Sequence, residues 1–146
     1  MNNNITRRQF TTLLIGGIVT FVTANFQLHE LECHCGWGEM GMDDDFLRQL
    51  QAIREEMNRP LRLSSAFRCR AHNNKISEVK NGAHTVGKAV DILISGADAI
   101  RLIEVARKHG ISGLGLQQKG EHGRRFCHID SLSPNDAPRP AIWTYS

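Results

Sequence analysis

A single carboxylate interrupts an otherwise apolar stretch of this chain. Lys88 to Ile94 (KAVDILI) predicts a β-strand in which Ala89, Asp91 and Leu93 share one face, because strand side chains alternate. An unpaired carboxylate inside a sheet is costly. Asp91 therefore needs a partner, and the residues alone leave two kinds open: a metal ion, or an arginine in a structural ion pair.

Strong helix signals lie on both sides of this strand. Asp43 to Asp45 supply an N-cap and first-turn acids for a helix that Pro60 ends. The apolar positions at helical spacing in it are Phe46, Leu47, Leu50, Ile53 and Met57. A second helix is predicted over Ala97 to His109, with Gly110 at its C′ position. Its inward residues are predicted to be Ile100, Ile103 and Ala106.

The remaining segments complete an α+β pattern. Further strands are predicted at Leu61 to Phe67, Ile111 to Leu116 and Arg124 to Asp130. Asn25 to Met42 is predicted to be a loop, Arg68 to Lys80 a partly helical turn region, and Pro138 to Trp143 a packed coil. This order predicts an α+β domain with a small, mainly antiparallel sheet flanked by two or three helices.

The first 24 residues have the composition of an export signal. A basic start is followed by an uncharged apolar stretch, Phe10 to Val22, and by small residues that end at Ala24. This pattern predicts a signal peptide over residues 1–24 and one mature domain over residues 25–146, without a stable membrane span and expected to be a monomer. An uncleaved anchor is the alternative, because the apolar stretch is short for a span yet long enough to tether the protein.

Two arginines in this segment indicate a route and change the charge. Arg7 and Arg8 lie in Thr6 to Phe10 (TRRQF), which is similar to the twin-arginine pattern and predicts export of a folded protein to the periplasm or cell envelope. Their removal lowers the formal charge from +3 to +1. The mature chain then has no basic stripe of the kind that binds nucleic acid, so nucleic acid is not an expected partner.

Four cysteines allow a disulfide. An even number in a chain bound for an oxidising space favours one bridge, and we expect Cys33 or Cys35 to pair with Cys69. Cys33 and Cys35 flank His34 and could form part of a metal knuckle, but a C-x-C pair without a second cluster is a weak zinc signal. Cys127 is predicted to be a small buried apolar residue.

Two histidines complete a ligand set with Asp91. His84 lies in a loop just before Gly87. The glycine permits a sharp backbone turn, which would bring the side chain of His84 close to that of Asp91. His128 and Asp130 share one strand face, about 7 Å apart along the strand. Two imidazoles and one carboxylate that leave a coordination position open are typical of a catalytic zinc site. The histidines predicted to be capped or on the surface are His29, His72 and His109.

Several motifs together resemble those of one peptidase family. Ser65 to Asn73 matches S-x-x-R-C-x-x-H-N, His84 to Asp91 matches H-x-x-G-x-A-x-D, and His128 to Asp130 matches H-x-D. The opening and closing matches are Asn25, Phe26, Glu30, Cys33, Arg139, Pro140 and Trp143. In these motifs the chain resembles the zinc D-Ala-D-Ala carboxypeptidase family of murein peptidases, part of the wider group with lysostaphin-type enzymes and the hedgehog signalling domain.

The resemblance implies a fold, a cofactor and an activity. It implies a hedgehog and D-Ala-D-Ala peptidase-like fold and one zinc ion held by His84, Asp91 and His128. The implied activity is hydrolysis of peptidoglycan peptide bonds that involve D-amino acids, by a D,D-carboxypeptidase or a murein endopeptidase. It also places Arg68 near the substrate, where a guanidinium could bind a peptide carboxylate or stabilise an oxyanion; a surface ion pair is the alternative.

The general base is the weakest part of this resemblance. Several branches of the family have an acid three residues before the last histidine, where this chain has Arg125, and Gly82 replaces a serine found in many relatives. We predict that Asp130 accepts the proton of the attacking water. A second-shell role in which Asp130 orients His128 is the alternative, and Glu121 and His122 are further candidates for the base.

Three functions therefore compete at this stage. The first is an active metallopeptidase. The second is a peptidoglycan-binding or assembly module that keeps the zinc site but has lost turnover, as Arg125 would permit. The third is a domain whose metal is purely structural. A site of imidazoles and a carboxylate also leaves manganese or iron open in place of zinc.

Overall fold

The computed structural model of the protein describes residues 11–15, 18–22 and 25–145. The strands in these ranges are β1 Thr11–Ile15, β2 Ile18–Val22, β3 Arg62–Ser65, β4 Ala89–Leu93, β5 Gly113–Gln117, β6 Phe126–Asp130 and β7 Ala141–Thr144. The α-helices are α1 Leu28–Leu31, α2 Asp44–Met57, α3 Arg70–Ile76 and α4 Gly96–Lys108. Two short 3-10 helices lie at Ala83–Val86 and His122–Arg124.

Five of these strands form the central sheet. Its order is β3-β4-β6-β5-β7, and every neighbouring pair is antiparallel except β5 and β7, which are parallel. The predicted α+β class with a small, mainly antiparallel sheet is therefore confirmed. Four helices accompany it because α1, a single turn, forms within the stretch predicted to be a loop.

Helix α2 begins and ends where the sequence predicts. Asp43 is the N-cap, and its Oδ1 accepts a hydrogen bond from the backbone N–H of Phe46 at 2.9 Å. The helix ends at Asn58, which adopts the left-handed conformation with a φ of 51°. Buried residues of α2 and α4 pack together on one face of the sheet and make the main core.

Helix α4 presents a different stripe to the core from the one predicted. Ile100 was expected to point inward, but 61% of it is exposed, and Leu102 is fully buried instead. Leu102 lies about 200° around the helix from Ile100, so the two cannot share a face. The prediction for Ile100 is wrong, because Ala99, Leu102 and Val105 form the stripe that contacts the sheet. Gly110, with a φ of 82°, confirms the predicted end of the helix.

The tail is a strand and not the packed coil that was predicted. β7 pairs with β5, with Gly113 opposite Ala141 and Gly115 opposite Trp143. A side chain at Gly115 would prevent this, because a Cβ there would lie 2.7 Å from Trp143 Nε1. The glycines of β5 therefore admit a fifth strand that the irregular tail composition did not predict.

The N-terminal region is described only in part. β1 and β2 pair in antiparallel fashion, from Thr11 opposite Val22 to Ile15 opposite Ile18. The remaining positions of the predicted signal peptide, 1–10, 16–17 and 23–24, lie outside the described residues, so that assignment stays a prediction. In the part of the chain that is described, no helix is both long and apolar enough to cross a membrane.

The two faces of the central strands differ sharply in chemistry. The helix face, which packs against α2 and α4, is Val90, Ile92, Cys127 and Ile129. The site face, on the other side of the same strands, is Ala89, Asp91, His128 and Asp130. Cys127 is fully buried, as predicted, and burial raises the pKa of its thiol to about 11. The alternation of side chains along β4 and β6 thus places Asp91, His128 and Asp130 together on the site face.

Candidate metal centre

Three side chains far apart in the sequence converge on the site face. His84 Nε2 lies 3.2 Å from Asp91 Oδ1 and 3.2 Å from His128 Nδ1, and His128 Nδ1 lies 2.9 Å from Asp91 Oδ1. Asp91 and His128 are direct partners across β4 and β6. All three residues are more than nine-tenths buried. The structure thus brings together the three ligands that the sequence predicted.

A tight turn carries His84 back to the sheet. Its 3-10 helix ends at Gly87, whose φ of 71° is rarely adopted by other residues, and a Cβ at Gly87 would collide with the carbonyl oxygen of Gly41. The backbone of Arg68 donates a hydrogen bond to the His84 carbonyl at 3.1 Å. These contacts hold the turn against β3 and α2, so His84 is positioned by backbone and not by a flexible loop.

The outer nitrogens of both histidines have acceptors. His84 Nδ1 lies 2.7 Å from the carbonyl oxygen of Ala66, and His128 Nε2 lies 3.1 Å from Asp130 Oδ2. A neutral histidine that donates through its outer nitrogen turns a lone pair inward. His84 Nε2, His128 Nδ1 and Asp91 Oδ1 then face one another as three acceptors within 3.2 Å, an arrangement that requires a proton or a cation between them.

These distances fit a zinc ion. Zinc–ligand bonds of about 2.0–2.1 Å at tetrahedral angles separate neighbouring ligand atoms by roughly 3.3 Å. The separations of 2.9 to 3.2 Å are slightly below this value. Two imidazoles and one carboxylate, each oriented by an outer hydrogen bond or ion pair, match the donor set of a catalytic site.

The pKa shifts of the three side chains show the same demand for positive charge. Burial raises the pKa of Asp91, but hydrogen bonds from His128 and His84 hold it well below its usual range. Burial lowers the pKa of His84, which favours the neutral imidazole that a metal requires. Burial also opposes protonation of His128, yet hydrogen bonds with Asp130 and Asp91 raise its pKa above the ordinary value.

Asp130 supports the site from behind. Its Oδ1 accepts from the Leu132 N–H at 3.1 Å and from Arg139 Nε at 2.9 Å, and its Oδ2 accepts from Arg139 Nη2 at 2.7 Å and contacts His128. Asp130 is fully buried, and the partners of both its oxygens keep its pKa low despite burial. This bonding favours the alternative in which Asp130 orients His128 over the role of general base, which stays a prediction.

Arg68 forms the ion pair with Asp91 that the sequence left open as an alternative to a metal. Its Nη2 donates to Asp91 Oδ2 at 2.6 Å, and its Nε donates to Ser65 Oγ at 2.7 Å. Asp91 therefore uses one oxygen toward the histidines and the other toward Arg68. The two partners that the sequence left open, a metal and an arginine, are compatible with one carboxylate.

A cavity of about 570 Å³ opens onto the three ligands. This volume is within the range of small-molecule sites. The other residues that line it include Arg68, Asn73, Ile76, Val79, Phe126, Asp136, Arg139, Trp143 and Tyr145. The ring of Trp143 lies 5.3 Å from that of His128. Sequence reasoning assigned no role to Asp136 or Tyr145, which lie on either side of the stretch Pro138 to Trp143 that was predicted to be a packed coil.

Two other candidates for the base lie elsewhere. Glu121 and His122 are exposed in and beside the second 3-10 helix and do not line this cavity. Among the histidines predicted to lack a role, His29 is exposed and His109 Nε2 contacts Glu56 Oε2 at 2.8 Å. The cavity thus limits the acids near the ligands to Asp130 and Asp136 besides Asp91 itself.

The expected disulfide is absent, and this prediction is corrected. Cys33, Cys35 and Cys69 are all free, and each places its sulfur within 4.8 Å of the other two. The Cys33 sulfur accepts a hydrogen bond from the backbone N–H of Cys69 at 3.2 Å. The three thiols therefore share one cluster, in which none is singled out as the bridge partner of another.

Comparison with known families agrees with this site. The model of the Peptidase M15 family matches residues 24–130, which include His84, Asp91 and His128. The chain belongs to the Peptidase M15 family, whose members are zinc-dependent metallopeptidases. Arg139, Pro140 and Trp143, which also resemble the family, lie beyond the matched range. No curated protein matches the chain in sequence.

Proposed function

We propose that this protein hydrolyses peptide bonds in peptidoglycan peptides that contain D-amino acids. The observation that carries the proposal is the set of three inward lone pairs, from His84, Asp91 and His128, at the base of an open cavity. Three protein ligands leave a zinc ion one position for water or substrate. The family supports a metallopeptidase, and the substrate class is our inference from the resemblance of the motifs.

Different residues of the site would hold the metal ion and orient its ligands. Zinc, when bound, polarises the scissile carbonyl and lowers the pKa of water. His84, Asp91 and His128 would hold it, and Asp130 and the Ala66 carbonyl keep the two imidazoles in the tautomer that binds a metal.

Arg68 is suited to hold a substrate carboxylate or a developing oxyanion. Its guanidinium lines the cavity while its Nη2 is fixed by Asp91, so it approaches the substrate in a defined orientation. Its side chain is 17% exposed, which leaves it accessible from the cavity and only partly solvated. Partial desolvation strengthens its interaction with an anion.

Three carboxylates line the cavity, and they differ in how free they are to accept the proton of the attacking water. Asp91 faces the histidines and Arg68, and Asp130 is bonded on both oxygens, whereas Asp136 is exposed at the rim. Hydrogen bonds from the Ser133 hydroxyl and N–H lower the pKa of Asp136, so it is ionised at neutral pH. We therefore add Asp136 to Asp130, Glu121 and His122 as residues to test for this role.

A hydrolysis assay tests the proposal. The full chain, loaded with zinc, is incubated with purified muropeptides, and new amino groups and product masses are measured. Release of free D-alanine identifies a carboxypeptidase, and separation of cross-linked stems identifies an endopeptidase. His128→Ala should abolish release, while His29→Ala, which changes an exposed histidine, should not. No release by a zinc-loaded, folded protein would reject the activity.

The base is assigned by comparing four variants in the same assay. Asp136→Asn, Asp130→Asn, Glu121→Gln and His122→Gln each remove one candidate. Substitution of the residue that acts as the general base should lower kcat and shift the pH profile of the reaction. Asp130→Asn should instead lower zinc affinity, because Asp130 orients His128. If none of the four changes the pH profile, none of these residues acts as the base.

A binding or assembly module is the second candidate function. Arg125, at the position where several branches of the family have an acid, favours it. Such a module would bind muropeptides in the presence of zinc without releasing amino groups. A purely structural metal predicts a third result, in which chelation unfolds the protein outright. A purely structural metal is disfavoured because His84, Asp91 and His128 line an open cavity, whereas structural zinc sites are usually closed by four protein ligands.

We also propose that the protein is exported and acts as a monomer in the periplasm or cell envelope. The support for export is the composition of residues 1–24 and the Arg7-Arg8 pair. Replacing both arginines with lysine should keep the protein in the cytoplasmic fraction if the twin-arginine route is used. Unchanged fractionation would reject that route.

A further inference from the structure

A second group of metal-type ligands lies outside the proposed active site. Sulfur atoms of Cys33, Cys35 and Cys69 lie within 4.8 Å of one another. Cys33 and Cys69 are buried, while Cys35 is half-buried. The first two cysteines come from the loop after α1, and the third is the N-cap of α3, so the cluster joins segments more than thirty residues apart.

Backbone donors point at two of these sulfurs. The Cys69 N–H donates to Cys33 Sγ at 3.2 Å, and the His72 N–H donates to Cys69 Sγ at 3.4 Å. A thiol is a weak acceptor, and a thiolate is a much better one. A buried thiolate needs a counter-charge. Donors aimed at clustered sulfurs are therefore what a metal–thiolate site requires around its ligands.

Local backbone contacts bring the two segments into this arrangement. The Cys33 N–H donates to the Glu39 carbonyl at 2.8 Å, which closes a loop from Cys33 to Glu39 that contains Cys35. The Phe67 N–H donates to the Leu31 carbonyl at 3.3 Å, which joins the end of α1 to the stretch before Cys69. The sulfurs are thus brought together by the fold on both sides.

Two of the three cysteines, Cys35 and Cys69, line a separate cavity. This cavity, of about 490 Å³, is lined by His34, Cys35, Glu39, Cys69 and His72 among others. Imidazole, carboxylate or water could each complete a tetrahedral set there.

We propose that Cys33, Cys35 and Cys69 form a second metal site, with zinc as its ion and three thiolates as its ligands. Each thiol loses its proton to solvent as it binds the ion, and no oxidant is needed. Soft sulfur donors and largely buried ligands are typical of structural zinc sites, in contrast to the nitrogen and oxygen donors of the His84 site. The ion fastens the N-terminal loop to the start of α3, next to Arg68.

Cobalt substitution tests this site directly. The full chain is loaded with Co²⁺, and thiolate-to-cobalt charge-transfer absorption is measured in the near ultraviolet. Wild-type protein should show this absorption, and Cys69→Ser should lose it. Cys127→Ala is the matched control, because Cys127 lies in the core of the sheet and should not contribute. His128→Ala should keep the absorption, which separates this site from the proposed active site.

Metal content gives an independent measurement. Zinc per chain should be two in wild-type protein and one in Cys69→Ser. Cys35→Ser is the milder variant if Cys69→Ser does not fold, because Cys35 is the most exposed of the three. Cobalt-loaded wild type without charge-transfer absorption would overturn the proposal. So would two cysteines that resist alkylation until reduction, since they would be joined in a disulfide.

Discussion

The two faces of β4 and β6 are built from the same strands and serve opposite purposes. The helix face buries Val90, Ile92, Cys127 and Ile129 against α2 and α4. The site face buries Asp91, His128 and Asp130, which are polar and mutually dependent. Apolar burial contributes to stability residue by residue, about 25 cal/mol per Å². The site face gains little in this way and relies on complementary charges.

Residues for apolar packing and residues for the proposed chemistry alternate along these two strands. Neighbours such as Cys127 and His128 point in opposite directions, so a substitution on one face need not disturb the other.

The largest effect is expected from removing a ligand on the site face. His128→Ala should lower kcat/KM by about 10³-fold or more, because a metal ion supplies several kcal/mol of transition-state stabilisation. The zinc-free variant should still fold, with a lower thermal midpoint, because Asp91 and Asp130 each lose a buried hydrogen-bond partner. Steady-state kinetics and calorimetry on the same preparation check both halves. A zinc-free variant that does not fold would show that the fold depends on the site face.

A cavity on the helix face should have the reverse result. Ile92→Ala removes a fully buried side chain and should lower the free energy of unfolding by about 2–5 kcal/mol. Activity per folded molecule should be retained. Urea unfolding and activity at a temperature well below the transition measure the two quantities. A matching loss of specific activity in fully folded Ile92→Ala would contradict the separation of the faces.

A methyl group beneath Asp130 should affect the site through its support. A Cβ at Gly113 would collide with the Asp130 carboxylate, whose Oδ2 lies 3.1 Å from His128 Nε2. Gly113→Ala should therefore weaken zinc binding or activity by about 10–100-fold, the usual effect of disturbing an outer-shell partner.

The control for this variant is Gly123→Ala. A Cβ at Gly123 would meet no atom within 4 Å, so zinc affinity should match wild type. Zinc titration with a competing chelator compares the two variants. Equal affinity in Gly113→Ala and wild type would remove the support for Asp130 as the residue that orients His128.

The smallest effect is expected in the helix layer. Hydrogen bonds from Lys108 and His109 lower the pKa of Glu56, which joins α2 to the end of α4. A lowered folded-state pKa means that this contribution is present above the ordinary carboxyl pKa of about 4.3 and is lost as the pH falls through the folded value. Glu56→Gln should unfold slightly more easily than wild type at neutral pH and equally at low pH. A constant difference across this range in thermal melts would exclude the ion pair as its cause.

Much of the fold could be predicted because its signals are local. Asp43 and Pro60 delimit α2 in the sequence, and alternation in KAVDILI predicts which side of β4 carries Asp91. The inward stripe of α4 was harder, since two apolar stripes compete in its sequence and only contact with the sheet selects Leu102 over Ile100. The strand β7 could not be predicted either, because it depends on space left by Gly115 on a different strand.

Some features of the candidate metal site could likewise be predicted from the sequence, and others could not. His84, Asp91 and His128 could be named as candidate ligands because a carboxylate in an apolar strand needs a partner and because the histidines lie in motifs that resemble those of the family. The partners of Asp130 could not, since Arg139 reaches it only after the tail has folded onto β5. The cysteines likewise suggested a bridge, and only their common position shows a cluster of three thiols.

The amino-acid sequence was enough to predict the α+β class, helix α2 and three residues able to hold a metal, while it left either a metal or an arginine as the partner of Asp91. It could do so because helix caps, strand alternation and buried charge act over a few residues. Tertiary structure alone decided which oxygen of Asp91 faces Arg68, what holds Asp130, and where the three sulfurs meet. Those outcomes depend on distances between segments far apart in the chain, and such distances exist only once the core has packed.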